Sequence, residues 1–271
     1  MKYIEIEIAP ITLEIIELLI AELSEIGFTG FEQGDDNLKA YISKTDFREP
    51  ELDFILNKYS VIYTQTLIQE TNWNELWESN FDPVVVDDFV GIRAHFHEPI
   101  ANVAFEILIT PKMSFGTGHH ATTYLMMQFM KNIDFKGKSV FDFGTGTGIL
   151  AILAEKLGGG NIIAGDHDDW CIENATENIV NNQCKNISVV KLDSANNAGI
   201  FQVVIANINK NIILQNLESL NKDSDNGADI LLSGLLQEDE SDVLSAVKSF
   251  AWHHIETKQK KGWIALYFKK Y

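Results

Sequence analysis

Residues Lys2 to Ile8 alternate charged and apolar side chains, with Glu5 and Glu7 set between Ile4, Ile6 and Ile8, which is the period of a half-buried strand. Ile11, Ile15, Leu18, Leu19 and Leu23 then recur at helical spacing, and Gly27 stands where a helix C′ glycine belongs. Phe28 to Gln33 and Leu38 to Ser43 flank a Gly34-Asp35-Asp36 turn and predict a hairpin. Pro50 opens a second helix through Lys58, and β-branched residues between Val61 and Gln69 predict a closing strand. The order βαββαβ over residues 1–70 predicts a small ferredoxin-like α+β domain, two helices on one face of an antiparallel sheet.

Residues 71–110 read as a connector. Trp73 and Trp77 lie four apart on one helical face, placed to pack between domains, and Phe81-Asp82-Pro83 stops that helix. Val84 to Ala94 and Val103 to Thr110 predict two strands. From 111 to 271 the pattern becomes a repeated strand and helix alternation. Strands are predicted to begin at 138, 161, 187, 201, 229, 252 and 262, with helices over Ile149–Leu157, Lys210–Leu220 and Gln237–Lys248. The expected architecture is α/β, a seven-stranded, mostly parallel, doubly wound sheet whose last two strands form a hairpin with one antiparallel edge strand.

The first predicted strand of that sheet runs into Asp142-Phe-Gly-Thr-Gly-Thr-Gly148. Gly144, Gly146 and Gly148 allow a tight turn and a close approach of backbone to a ligand. The next strand ends at Asp166, 22 residues past Gly144, where a carboxylate can accept hydrogen bonds from the hydroxyls of an adenosine ribose. The spacing G-x-G-x-G behind an acidic Asp142 differs from the G-x-G-x-x-G that presents a helix N-terminus to a pyrophosphate. S-adenosylmethionine, with its sulfonium and amino group, is therefore the expected cofactor, and Asp142 is placed to hold the amino group directly or through water. A nicotinamide cofactor and a plain strand-to-helix turn are the alternatives.

Two further segments carry candidate chemistry. Pro111 to Thr123 is polar and rich in glycine, and is predicted to form a lid in which Phe115, Thr117 and Thr123 are candidate cofactor contacts. Thr122 and Thr123 enter a helix containing Leu125, Met126 and Phe129, so capping that helix is their competing role. His119 and His120 could orient groups. Phe201 to Ile208 predicts a buried strand ending in Asn207, whose side-chain carbonyl can accept from an amine and point its lone pair at an electrophilic methyl. Capping of the helix that begins at Lys210 is the competing role.

Composition narrows the class. With 271 residues and 45% apolar content the chain can bury more than one core. No window approaches the ~18 uninterrupted apolar residues of a membrane span, and the N-terminus alternates like a strand, so a cytoplasmic monomer is expected. Cys171 and Cys184 read as core residues. His95 and His97 share a strand face without a carboxylate or cysteine to complete a site, and no metal is expected. The net charge is −18, and residues 1–70 hold 14 acidic against 5 basic residues, a net −9. Arg48 and Arg93 are the only arginines, so direct nucleic-acid binding is not expected. The acidic surface serves solubility or docks a basic partner.

Gly116-Thr-Gly-His-His-Ala-Thr-Thr123, Asp142-Phe-Gly-Thr-Gly-Thr-Gly148, Gly165-Asp166-His-Asp168, Ala206-Asn207-Ile208 and Leu232-Ser-Gly-Leu235 resemble successive blocks of the PrmA methyltransferases, which modify large-subunit ribosomal protein eleven. Asn72 to Pro83 is similar to that family's connector, and residues 1–70 match only in predicted topology. The resemblance implies a class I S-adenosylmethionine-dependent methyltransferase fold with an N-terminal recognition domain for the basic ribosomal protein. It also implies that Thr123, Gly144, Asp166 and Asn207 bind the cofactor. Thr145 stands where the family commonly has Cys. The implied reaction is in-line attack of a neutral lysine ε-amine or α-amine on the sulfonium methyl, with Asn207 orienting the amine and no strong base in view. A nicotinamide-dependent oxidoreductase and a noncatalytic, cofactor-sensing ribosome-assembly factor are the readings from other classes.

Overall fold

The structure is a computed structural model that describes residues 3–34, 36–59, 61–68, 82–110, 118–196 and 199–271. The chain divides into two units, residues 1–81 and 82–271. Trp73, Trp77, Phe115 and Thr117 lie outside the described residues.

In the first unit, β1 (Tyr3–Ile8), β2 (Gly30–Gln33), β3 (Leu38–Ser43) and β4 (Tyr63–Ile68) form a sheet in the order β2-β3-β1-β4, every pair antiparallel. The period-two pattern sets the register. Ile4, Ile6 and Ile8 stand opposite Ile42, Ala40 and Leu38, and all six are buried on one face. That face is covered by α1 (Leu13–Glu25) through Ile16, Leu19 and Leu23, and by α2 (Glu49–Tyr59) through Leu52, Ile55 and Leu56. Gly27, at φ 97°, ends α1 in a Schellman motif: Phe28 N–H donates to Leu23 O at 3.1 Å and Gly27 N–H to Ser24 O at 3.2 Å.

The second unit opens with a three-stranded sheet of β5 (Val84–Val86), β6 (Val90–Ala94) and β7 (Phe105–Ile109). The single strand expected over 84–94 is a hairpin instead. Asp87 takes φ 50°, a left-handed conformation that Asp tolerates, and turns the chain between two short strands.

The main sheet comprises β8 (Ser139–Phe143), β9 (Asn161–Asp166), β10 (Ile187–Lys191), β11 (Phe201–Asn207), β12 (Ser224–Leu236), β13 (Trp252–Lys260) and β14 (Trp263–Lys270), in the order β10-β9-β8-β11-β12-β14-β13. The five strands from β10 to β12 are parallel, and β14 runs against both its neighbours. The seven-stranded, mostly parallel sheet is as expected, but the antiparallel strand lies one place in from the edge. Burial explains the order. β14 places Ile264, Ala265, Leu266 and Phe268 in the core, whereas His253, His254, Ile255 and Glu256 of β13 are exposed and suit an edge. Lys261 and Gly262, at φ 51° and 80°, supply the two left-handed residues that a tight hairpin needs.

Among the described residues, five helices accompany this sheet: α3 (Ala121–Met130), α4 (Ile149–Lys156), α5 (Asp169–Asn181), α6 (Lys210–Asp223) and α7 (Glu240–Ala246). The helix expected over 237–248 is α7 flanked by short 3-10 turns at Gln237–Asp239 and Val247–Ser249. Asn178 of α5, fully buried, accepts from Thr110 N–H at 2.7 Å and donates to Thr147 O at 2.9 Å. It thereby ties the end of β7 to the glycine loop. β8 has β9 on one side and β11 on the other, so the strand order reverses there and a crevice opens at the carboxyl ends of the strands.

Candidate functional site

The loop 144–148 leaves β8 at this crevice. Gly144, Gly146 and Gly148 take φ of 76°, 56° and 80°, and a Cβ on Gly144 would stand 2.2 Å from Ile208 Cγ2. The loop consumes its own donors. Gly144 N–H and Thr145 N–H both donate to Gly165 O at 2.8 and 3.0 Å, Gly146 N–H to Asp166 Oδ2 at 2.9 Å, and Gly148 N–H to Thr145 O at 2.9 Å. A loop that cradles a pyrophosphate keeps those N–H groups for the anion, so this one is poorly built for a dinucleotide.

Two carboxylates flank the loop. Asp166, at the end of β9, also accepts from His167 N–H at 2.8 Å and Asp168 N–H at 3.2 Å, both on Oδ1. A carboxylate offers about four lone-pair sites, so Oδ2 keeps acceptor capacity beside Gly146. Asp142 lies deeper, 1% exposed, and burial pushes its carboxyl up to about 7. The hydroxyl of Thr145 donates to its Oδ2 at 2.6 Å and opposes that shift, while the charge of Asp166 adds to it. The amino-group anchor expected at Asp142 is thus screened from the crevice by Thr145.

Across the crevice, β11 ends at Asn207. Its Nδ2 donates to Thr123 Oγ1 at 3.4 Å, and its buried Oδ1 has no partner among the described residues. Such an acceptor is open to a donor from a ligand or from water. Neither helix cap weighed from sequence falls on these residues. Asn209 caps α6 by accepting from Ile212 N–H at 3.1 Å, and His120 caps α3 by accepting from Thr122 N–H at 3.4 Å. Thr122 and Thr123 are fully buried inside the helix, and Thr123 holds the amide of Asn207. Gly234, at φ 85° on a bulge of β12, lets Ile208 pass where a Cβ would lie 2.1 Å from its carbonyl oxygen.

These elements enclose a cavity of about 400 Å³, walled by Thr123, Gly144, Thr145, Gly146, Asp166 and Asn207 together with His120, Cys171 and Trp263, of which the sequence left Trp263 unmarked and read Cys171 as core. Trp263 and His120 form one side, their rings edge to face at 4.6 Å, and burial holds His120 below its ordinary range. Trp263 begins β14 and reaches the crevice only because that strand inserts beside β12, which no local pattern announces. Cys171 is also on the wall, its thiol pushed up to about 11 by burial and then by the charges of Asp166 and Asp168. A thiol so held is a weak nucleophile. Gly148 sits behind the wall as the residue that starts α4.

His119 Nε2 is 2.8 Å from Asp82 O, and Ala94 N–H donates to His97 Nδ1 at 3.2 Å. Among the described residues, no group of three or more His, Cys, Asp and Glu is arranged to hold a metal ion, and no helix is long and apolar enough to cross a membrane.

A family model described as ribosomal protein L11 methyltransferase (PrmA) matches residues 18–271. A relative with that name from Porphyromonas gingivalis is 39% identical over 260 residues, covering 93% of this chain and 90% of the relative. Another from Phocaeicola vulgatus is 37% identical over 279 residues, covering 99% of each. The crystal structure of a ribosomal protein L11 methylase from Lactobacillus delbrueckii subsp. bulgaricus aligns with a TM-score of 0.65 at 26% identity, covering 70% of this chain and 100% of that one.

Proposed function

The chain belongs to the ribosomal protein L11 methyltransferase family, and from that premise we propose that it moves methyl groups from S-adenosylmethionine to amines of that ribosomal protein. When bound, S-adenosylmethionine supplies a sulfonium methyl open to attack by an amine. The orphan acceptor at Asn207 Oδ1, buried on the wall of the cavity, carries the reading. It suits a ligand that brings N–H donors, and the glycine loop opposite, with the N–H groups of Gly144, Thr145, Gly146 and Gly148 already bonded, is poorly built for a diphosphate.

In this reading Asp166 would hold the ribose hydroxyls, and Gly144 to Gly148 would leave room for the methionine end. Asn207 Oδ1 would accept one N–H of the incoming amine and so orient its lone pair. Thr123 sets the amide's orientation. Holding amine and methyl in a near-attack geometry can contribute about 7–11 kcal/mol, enough that no nucleophile or strong base is required of the protein. The amine must arrive neutral, and a wall that includes the Trp263 and His120 rings favours that form by desolvation. Lysine ε-amines, the N-terminal α-amine or both are the targets, and the acidic first unit recognises the basic ribosomal protein.

Thermal-shift titration tests the cofactor. S-adenosylmethionine should raise the Tm and NAD should not, and Asp166→Ala should remove the shift; a shift with NAD alone would return the chain to the oxidoreductase reading.

A further inference from the structure

What Asn207 Oδ1 can hold depends on how many N–H groups the incoming amine still carries. A neutral primary amine has two and its monomethyl product has one, so either can donate to Oδ1 and keep a lone pair for the methyl. A neutral dimethylamine has none. At that stage the amine needs another surface to orient it, and the same cavity carries one in the rings of Trp263 and His120.

Those rings belong to the frame that positions Asn207. His120 and Thr123 lie three residues apart at the start of α3, on one face. Thr123 Oγ1 accepts from the Asn207 amide at 3.4 Å, while the His120 ring stands 4.6 Å from that of Trp263 with the two planes at 71°. His120 is fixed in turn through Nδ1, 2.8 Å from Thr122 Oγ1. Ser233, fully buried, serves both sides: its carbonyl accepts from Ile208 N–H at 3.1 Å, next to Asn207, and its hydroxyl donates to Ile264 O at 2.7 Å, next to Trp263. Two aromatic planes so inclined form a corner. Aromatic faces attract ammonium groups whose N–H donors have been replaced by methyls.

We propose that Trp263 determines how far methylation proceeds, by holding a dimethylamine with its methyl groups against the indole so that a third methyl can be added. The inference rests on the function proposed above and assigns the last transfer to a different part of the wall from the first two. In that transfer the nitrogen lone pair forms the new N–C bond, the S–C bond breaks and its electron pair stays on sulfur, leaving S-adenosylhomocysteine. The amine becomes a quaternary ammonium with no proton to lose, a permanent cation of the kind that an indole face stabilises.

The test compares two substrates, unmethylated ribosomal protein L11 and the same protein whose amines have been reductively dimethylated with formaldehyde, each incubated with the full chain and S-adenosylmethionine and followed by mass spectrometry. The parent chain should add methyls to both. Trp263→Leu keeps an apolar wall without the aromatic face, and should lower the ratio of the rate on dimethylated to that on unmethylated protein by about threefold to thirtyfold. Trp263→Phe should keep the ratio near that of the parent. Asn207→Ala should move it the other way, raising it by about tenfold, because only the unmethylated amine loses a hydrogen bond. Should the leucine variant misfold, Trp263→Met removes the ring with an unbranched apolar chain.

A ratio unchanged or raised in Trp263→Leu, a phenylalanine variant as deficient as the leucine one, or a parent chain that methylates only the unmethylated protein would overturn the inference while leaving the proposed function intact. A parent chain that methylates neither protein would bring down the proposed function, and the role of Trp263 with it.

Discussion

Asp142 illustrates what a single buried group imposes. Its carboxyl titrates near 7 in the folded protein against about 3.8 when unperturbed, because burial disfavours the anion more than the Thr145 hydroxyl favours it. Below about pH 4 the group is neutral in both states and costs nothing. Between about 4 and 7 the unfolded chain releases the proton while the folded one keeps it, so stability falls as pH rises; above about 7 the penalty is constant. Asp142→Asn, neutral throughout, should match the parent near pH 4 and exceed it at pH 8 by at most ~4 kcal/mol in urea unfolding without cofactor. A difference that stays flat across that range would contradict the buried, proton-holding state. Asp142 thus costs the fold stability above about pH 4, as a carboxyl buried with one hydroxyl donor does.

At the scale of elements, Asn178 does for α5 what a strand partner would do for β7. Replacing it by Ala leaves Thr110 N–H and Thr147 O without their bonds at 2.7 and 2.9 Å. A cost on the order of 2–5 kcal/mol is expected in the urea midpoint, with weaker cofactor binding because Thr147 belongs to the glycine loop. A loss below ~1 kcal/mol would mean that the loop is held by other contacts.

Period and turn chemistry revealed most of these elements. The alternation at Ile4, Ile6 and Ile8, the C′ glycine at 27, and the path from β8 through Gly144 to Asp166 are all local signals, and the structure follows them. What escaped depends on distant neighbours. Asn207 and Asn209 both fit a helix cap by spacing, and only the observed bond to Ile212 assigns the cap to Asn209 and leaves Asn207 Oδ1 open. His120 is an unusual cap residue, so Thr122 and Thr123 drew that role. Trp263 lines the cavity because β14 inserts beside β12, a choice made by the burial of β14 and not by its period.

Across the whole molecule, charge and chemistry are unevenly placed. The first 70 residues carry half the net charge of −18, and the cavity lies in the second unit. The division suits recognition of a basic protein by one part of the chain and methyl transfer by the other, with affinity for that protein weakening as salt screens the acidic surface. Mass spectrometry of unmethylated ribosomal protein L11 after incubation with this chain and S-adenosylmethionine tests the claim most directly, with Asn207→Ala alongside. Mass increments of whole methyl groups on lysine or N-terminal amines should accumulate with the parent chain, and should slow by about tenfold or more with Asn207→Ala at saturating S-adenosylmethionine. No increments despite proven cofactor binding, or increments that proceed equally well without the Asn207 side chain, would contradict it.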